Sequence, residues 1–112
     1  MYDIISMMIE MSDAAQMFKT LGDATRLQLV HRLGCCPETV SGPTAGELCC
    51  QTTGADKITS TVSHHLKELR ESGLIRMERQ GKCMCCSLDR EAIRGLAAYL
   101  NQIVEGENHD CC

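Results

Sequence analysis

Ser60-Thr61-Val62-Ser63-His64-His65-Leu66-Lys67-Glu68-Leu69-Arg70 is the stretch whose reading decides the fold. Val62, Leu66 and Leu69, with Ile58 one turn earlier, recur at the spacing of one helical face. The opposite face carries Ser60, Thr61, Ser63, His64, Lys67 and Arg70, with no acid among them. Hydroxyls that bond base edges or phosphates, beside cations that neutralise phosphate, suit a DNA major groove. An ordinary solvated helix face fits the same residues, so the surrounding chain has to decide.

Outward from this helix the charge is uneven. Residues 57–82 carry a net +3 while the remainder carries −7, within an overall charge of −4. An acidic protein with one basic segment grips phosphate locally and repels wrong orientations. On the N-terminal side, Ala45 to Thr52 reads as a short helix and Thr53-Gly54 as its turn. On the C-terminal side Gly73 ends the helix, which Asp56 or Thr59 caps. A short helix, a glycine turn and a hydroxyl-rich second helix make a helix-turn-helix. Leu74–Arg79 and Lys82–Leu88 then read as two strands around a Gln80-Gly81 hairpin turn.

The flanks are helical. Ile4, Ile5, Met7, Met8, Met11, Ala14, Ala15, Phe18 and Leu21 predict a first helix over residues 4–21, with a break near Ser12-Asp13. Gly22 stops it. Asp23 caps a second helix to about Leu33, with Leu27, Val30 and His31 inward. The Pro/Gly/Ser-rich residues 35–43 read as a loop. Asp89 caps a last helix to about Glu105, with Ile93, Leu96, Ala97, Leu100 and Val104 on one side. Residues 1–105 thus form one domain, and 106–112 a cysteine-bearing tail too poor in apolar residues to fold alone.

At 112 residues the core is small, so a partner subunit helps. With one Phe, two Tyr and no Trp against seven Met and nine Cys, the expected core is aliphatic and thioether-filled. No apolar run of about 18 residues exists to span a membrane, and the N-terminus lacks a signal-peptide pattern, which points to the cytosol. No Ser/His/Asp or Cys/His frame and no phosphate-cradling glycine loop appears, so an enzyme is not expected.

Phe18-Lys-Thr-Leu-Gly-Asp-Ala-Thr-Arg-Leu27, the stretch Ser60–Ile75, Gln80-Gly-Lys82 and Ser87-Leu88 together resemble the ArsR/SmtB family across roughly residues 13–105. The resemblance implies a mainly α, winged helix-turn-helix homodimer of order α1-α2-α3-α4-β1-β2-α5, paired through its first and last helices. It implies operator DNA as partner, with Thr59, Ser60, Thr61, Ser63, His64, Lys67 and Arg70 at the major groove. Arg79 and Lys82 of the wing would meet backbone or minor groove, and His65 would lie at the packing edge. It also implies a repressor that releases its operator on binding a metal or metalloid.

The family has no single effector, so the cysteines carry that part of the reading. They fall as Cys35-Cys36, Cys49-Cys50, Cys83-x-Cys85-Cys86 and Cys111-Cys112. In a cytosolic chain an odd count in adjacent pairs argues against structural disulfides. Soft thiolates select thiophilic ions, As(III) and Sb(III) among them. The best-known family site opens the third helix, but Thr44 and Gly46 stand where two of its cysteines belong, leaving Cys49 alone. Other members place thiols after the last helix, as Cys111 and Cys112 are placed here. The first-choice ligands are therefore Cys111 and Cys112 with Cys49 and Cys50, or with the wing group. Cys83, Cys85, Cys35 and Cys36 are second. Cys83 and Cys85 share a strand face; Cys86 points the other way, where packing beneath the wing competes with ligation. Cys35 and Cys36 divide evenly between filler and ligand. His109 and Asp110 are spare donors or a solvated tail. A thiol-based redox repressor and a metal-buffering protein remain as alternatives.

Overall fold

The computed structural model describes residues 11–36 and 42–106. Among the described residues five helices and one hairpin follow in the order α1 (Met11–Leu21), α2 (Ala24–Gly34), α3 (Ala45–Thr53), α4 (Ser60–Glu71), β1 (Ile75–Gln80), β2 (Cys83–Leu88) and α5 (Arg90–Glu105). Cys111 and Cys112, with His109 and Asp110, lie outside the described residues, as do residues 4–10 of the expected first helix. Ser12 and Asp13 are continuous helix within α1, so no break falls there.

The helices α2 to α5 each start where a short polar side chain replaces the missing backbone partner. Asp23 accepts from Arg26 N at 3.1 Å, Thr59 from Val62 N at 3.1 Å, and Asp89 from Ala92 N at 3.1 Å. Before α3 the device is reciprocal: Thr44 Oγ1 accepts from Glu47 N, and Glu47 Oε1 accepts from Thr44 N. The Thr44 backbone N–H first, and the Thr44 hydroxyl after it, hold the Glu47 carboxyl below its ordinary range. Gly54 ends α3 at a left-handed φ of 83°, a conformation a side chain resists.

The core is one cluster in which Leu29 and Leu33 of α2, Leu48 of α3, Leu66 and Leu69 of α4, and Leu74 are fully buried. Cys49 and Cys86 complete it. Met17 and Met77 only line its edge, so the interior is leucine and thiol rather than thioether. Two inward assignments need correcting. On α2, Leu29, Val30 and Leu33 face in, while Leu27 is 53% exposed and His31 is exposed. Val30 is common to both faces, and rotation about it decides between them; packing against α4 wins. Ile58 precedes the Thr59 cap, so it lies outside the helical face and is 41% exposed.

The strands pair antiparallel from Ile75↔Leu88 to Gln80↔Cys83. Gln80 is thus a ladder residue and the turn is Gly81-Lys82, one step beyond the expected Gln80-Gly81. Only Gly81 of these takes a positive φ, 65°, as suits a loop whose first residue is glycine. The second edge of β2 is also occupied. Cys86 N donates to Pro43 O at 2.8 Å, and Thr44 bridges Cys85, so residues 42–44 strap the wing to the start of α3.

Gly42 passes so close to β2 that a Cβ there would run into the Cys86 carbonyl oxygen, whereas Gly46 has open space around it. Gly42→Ala should therefore destabilise by about 1–3 kcal/mol through forced displacement. Gly46→Ala should stabilise by about 0.4–1 kcal/mol by restricting the unfolded chain. Urea unfolding of the two variants beside the parent checks both signs.

Candidate nucleic-acid interface and thiol sites

Burial of Val62, Leu66 and Leu69 at 3% or less turns the rest of α4 outward. Ser60, Thr61, Ser63, His64, Lys67 and Arg70 are all exposed, and Arg79 and Lys82 are exposed on the wing. Thr59 is exposed too, but its hydroxyl oxygen is engaged as the cap. Near the middle of the surface Glu68 flanks the polar face, with its Oε1 3.8 Å from His64 Nε2. The acid-free part of the face is therefore the first turn and a half of α4, followed by Lys67 and Arg70.

A bridge from α2 to α4 goes beyond the expected residues. Arg26 Nε donates to His65 Nδ1 at 3.0 Å. The His65 Nε2 stands 3.8 Å from Asp23 Oδ2. The Asp23 carboxyl is held below its ordinary range, first by the Arg26 backbone N–H and also by His65. One aspartate thus starts α2 and, with Arg26, steadies a side chain of α4. The signal in the sequence was the Asp-x-x-Arg spacing after Gly22, which alone reads only as a cap.

The thiols separate by burial. Cys49 is fully buried, its Sγ 3.7 Å from Lys57 O and 3.6 Å from Thr53 Oγ1, while Cys50 is exposed. Cys86 is fully buried and burial pushes its thiol up to about 11, whereas Cys83 is exposed and Cys85 half-buried. Cys35 is exposed and Cys36 half-buried at the end of α2, with Cys36 Sγ 3.8 Å from Arg32 O. Among the described residues no three Cys, His, Asp or Glu side chains form a set that could hold a metal ion. The start of α3 does not fit one: Thr44 is committed to the cap, Gly46 has no side chain, and Cys49 is enclosed.

The "Bacterial regulatory protein, arsR family" profile matches residues 44–77, from the cap of α3 into β1. The chain is 34% identical over 94 residues to a "Cadmium resistance transcriptional regulatory protein CadC homolog" of Staphylococcus aureus, covering 80% of this chain and 70% of that one. It is 42% identical over 69 residues to the "Arsenical resistance operon repressor" of Escherichia coli (strain K12), covering 60% of this chain and 51% of the repressor, so it spans about half that protein's length. Among solved structures, an ArsR family transcriptional regulator superposes with a TM-score of 0.70 at 26% identity, covering 87% of this chain and 92% of that chain. The transcriptional repressor BigR from Xylella fastidiosa gives 0.57 at 30% identity, covering 80% and 86%.

Burial of Cys86 has a measurable consequence. Its thiol stays neutral in the fold up to about 11 but ionises near 9.0 once unfolded. The stability this confers is fully present below pH about 9 and is lost as the pH climbs toward 11. Cys86→Ala should be less stable than the parent at pH 7 and lose less stability than the parent across that alkaline window, as read by urea midpoints at each pH.

Proposed function

The chain belongs to the ArsR family of bacterial regulatory proteins, and from that premise we propose that it is a homodimeric repressor released from its operator by a thiophilic metal ion or metalloid. The family makes it a DNA-binding transcriptional regulator, not an enzyme. The observation that carries the proposal is the outward face of α4. Its hydroxyl and cationic side chains are held clear of the core by three buried residues, with Arg79 and Lys82 on the adjoining wing. A metal buffer has no use for that face.

Pairing through the first and last helices accounts for the apolar surface one protomer leaves bare. Met11 is 72% exposed on α1, and Leu100, Ile103 and Val104 are 48%, 64% and 81% exposed on α5. Two copies of α4 are then held at a fixed separation, which an inverted repeat reads as half-site spacing. As(III) is the effector the thiol chemistry favours; the cadmium and arsenical resistance named for two relatives concerns ions of the same thiophilic kind. Cys111 and Cys112 supply two sulfurs. Cys50 is the α3 sulfur that can join them, since reaching Cys49 would require opening the core. Ligation biases the dimer toward a spacing that no longer fits the operator, with a coupling of about 1–3 kcal/mol, or roughly 5–150-fold in affinity.

The test is a gel shift of the fully reduced protein on the DNA upstream of its own gene. Arsenite should lower affinity by roughly 5–150-fold, and peroxide without metal should not. No retention at low salt, or unchanged retention with arsenite and Cd²⁺, would sink the proposal. Lys67→Ala should weaken binding across sequences and make the log–log salt slope shallower by about 1. Ile103→Glu should shift the protein to monomer in sedimentation and abolish tight operator binding with it.

A further inference from the structure

Two of the adjacent cysteine pairs are pulled apart in this fold. The pairs Cys49-Cys50 and Cys85-Cys86 each put one sulfur in the core and one outside. Cys83 and Cys85, two residues apart in β2, stay on one side. The core-facing side of the hairpin is marked by buried Ile75 and Cys86, and the outer side carries Cys83, Cys85 and Ser87. Cross-strand from them on that outer side stand Gln80, Glu78 and Arg76. Cys83 is exposed and Cys85 half-buried, so neither is enclosed in the core.

Their spacing discriminates between oxidation and ligation. Strand geometry separates same-face neighbours by about 6.6 Å. A disulfide wants Cβ atoms about 3.5–4.5 Å apart, which this strand can supply only by buckling. Buckling is resisted because β2 is bonded on both edges, to β1 and to Pro43-Thr44. An atom inserted between the two sulfurs, with bonds to each of about 2.3 Å as for zinc thiolates, spans the gap without moving the backbone. No third Cys, His, Asp or Glu ligand converges there among the described residues. The described residues therefore offer two sulfurs there.

We propose that Cys83 and Cys85 form a two-sulfur site on the wing for a trivalent arsenical, separate from the thiols assigned above to the release of DNA. The ligand class follows from the donor count. An arsenical R–As(OH)₂ reacts with two thiols to give R–As(SCys)₂ and two waters: two As–O and two S–H bonds break, two As–S bonds form, and arsenic stays trivalent. The bound group sits on the outer face next to the Gly81-Lys82 turn, where it obstructs the wing's approach to DNA. This regulatory consequence rests on the repressor reading; the site does not.

The experiment uses the full chain with Cys35, Cys36, Cys50, Cys111 and Cys112 changed to Ser, keeping enclosed Cys49 and Cys86, and phenylarsenoxide as probe. Circular dichroism confirms the fold. Intact mass should show one phenylarsenic per protomer, with two fast-reacting thiols lost and both restored by a small dithiol. Cys83→Ser or Cys85→Ser in that background should weaken uptake by roughly 100-fold or more, because the second bond is then no longer intramolecular. No uptake, or uptake unchanged in either single variant, overturns the site. A gel shift without arsenical reports the repressor reading independently: DNA retained with no arsenical taken up defeats this proposal alone, and arsenical taken up with no DNA retained defeats the other.

Discussion

The contact of α4 with α2 is the constraint on which everything else hangs. Leu66 and Leu69 are buried with Leu29 and Leu33 in the one core cluster. Burying such a side chain is worth about 1.5–3 kcal/mol, and truncating one costs about 2–5 kcal/mol because the cavity does not collapse. That energy fixes the rotation of α4 about its own axis. With the leucines committed inward, the hydroxyls, His64, Lys67 and Arg70 have only solvent or DNA to face. The Arg26–His65 bond adds a polar register mark to the same contact, selecting one rotation among those the leucines tolerate.

The helix-turn-helix and the hairpin were legible because their signals are local. Hydroxyl caps, a left-handed glycine and a period of 3.6 residues each act within a turn or two. The inward face of α2 was misread because it is not a local property. Leu27-x-x-Val30-His31 is as good a stripe as Leu29-Val30-x-x-Leu33, and only α4 and the wing tell them apart. The hairpin turn slipped by one residue for a related reason: Gly81 fits either loop position, and the ladder pairing of Gln80 with Cys83 settles which.

Cysteine clustering was legible as chemistry but not as geometry. Adjacent thiols in the sequence look like ready chelating pairs, yet a helix turns neighbours about 100° apart and a strand about 180°. Cys49 and Cys86 are therefore packing residues wherever their neighbours face solvent. The carried-over position at Cys49 shows the limit of motif transfer: the residue type is right, but Leu48 and Cys49 together fill the core where a ligand would have to enter. What the sequence could not say, and burial does, is that Cys49 and Cys86 are the enclosed members of Cys49-Cys50 and Cys85-Cys86.

Thr44 ties two functions into one residue, since it caps α3 and bridges β2 while its neighbour Pro43 accepts from Cys86. The hairpin is consequently no free arm. It is riveted to the first helix of the helix-turn-helix at Cys85 and Cys86, through backbone rather than through loose side chains. The start of α3 and the hairpin are therefore joined through main chain, and neither can swing without straining the other.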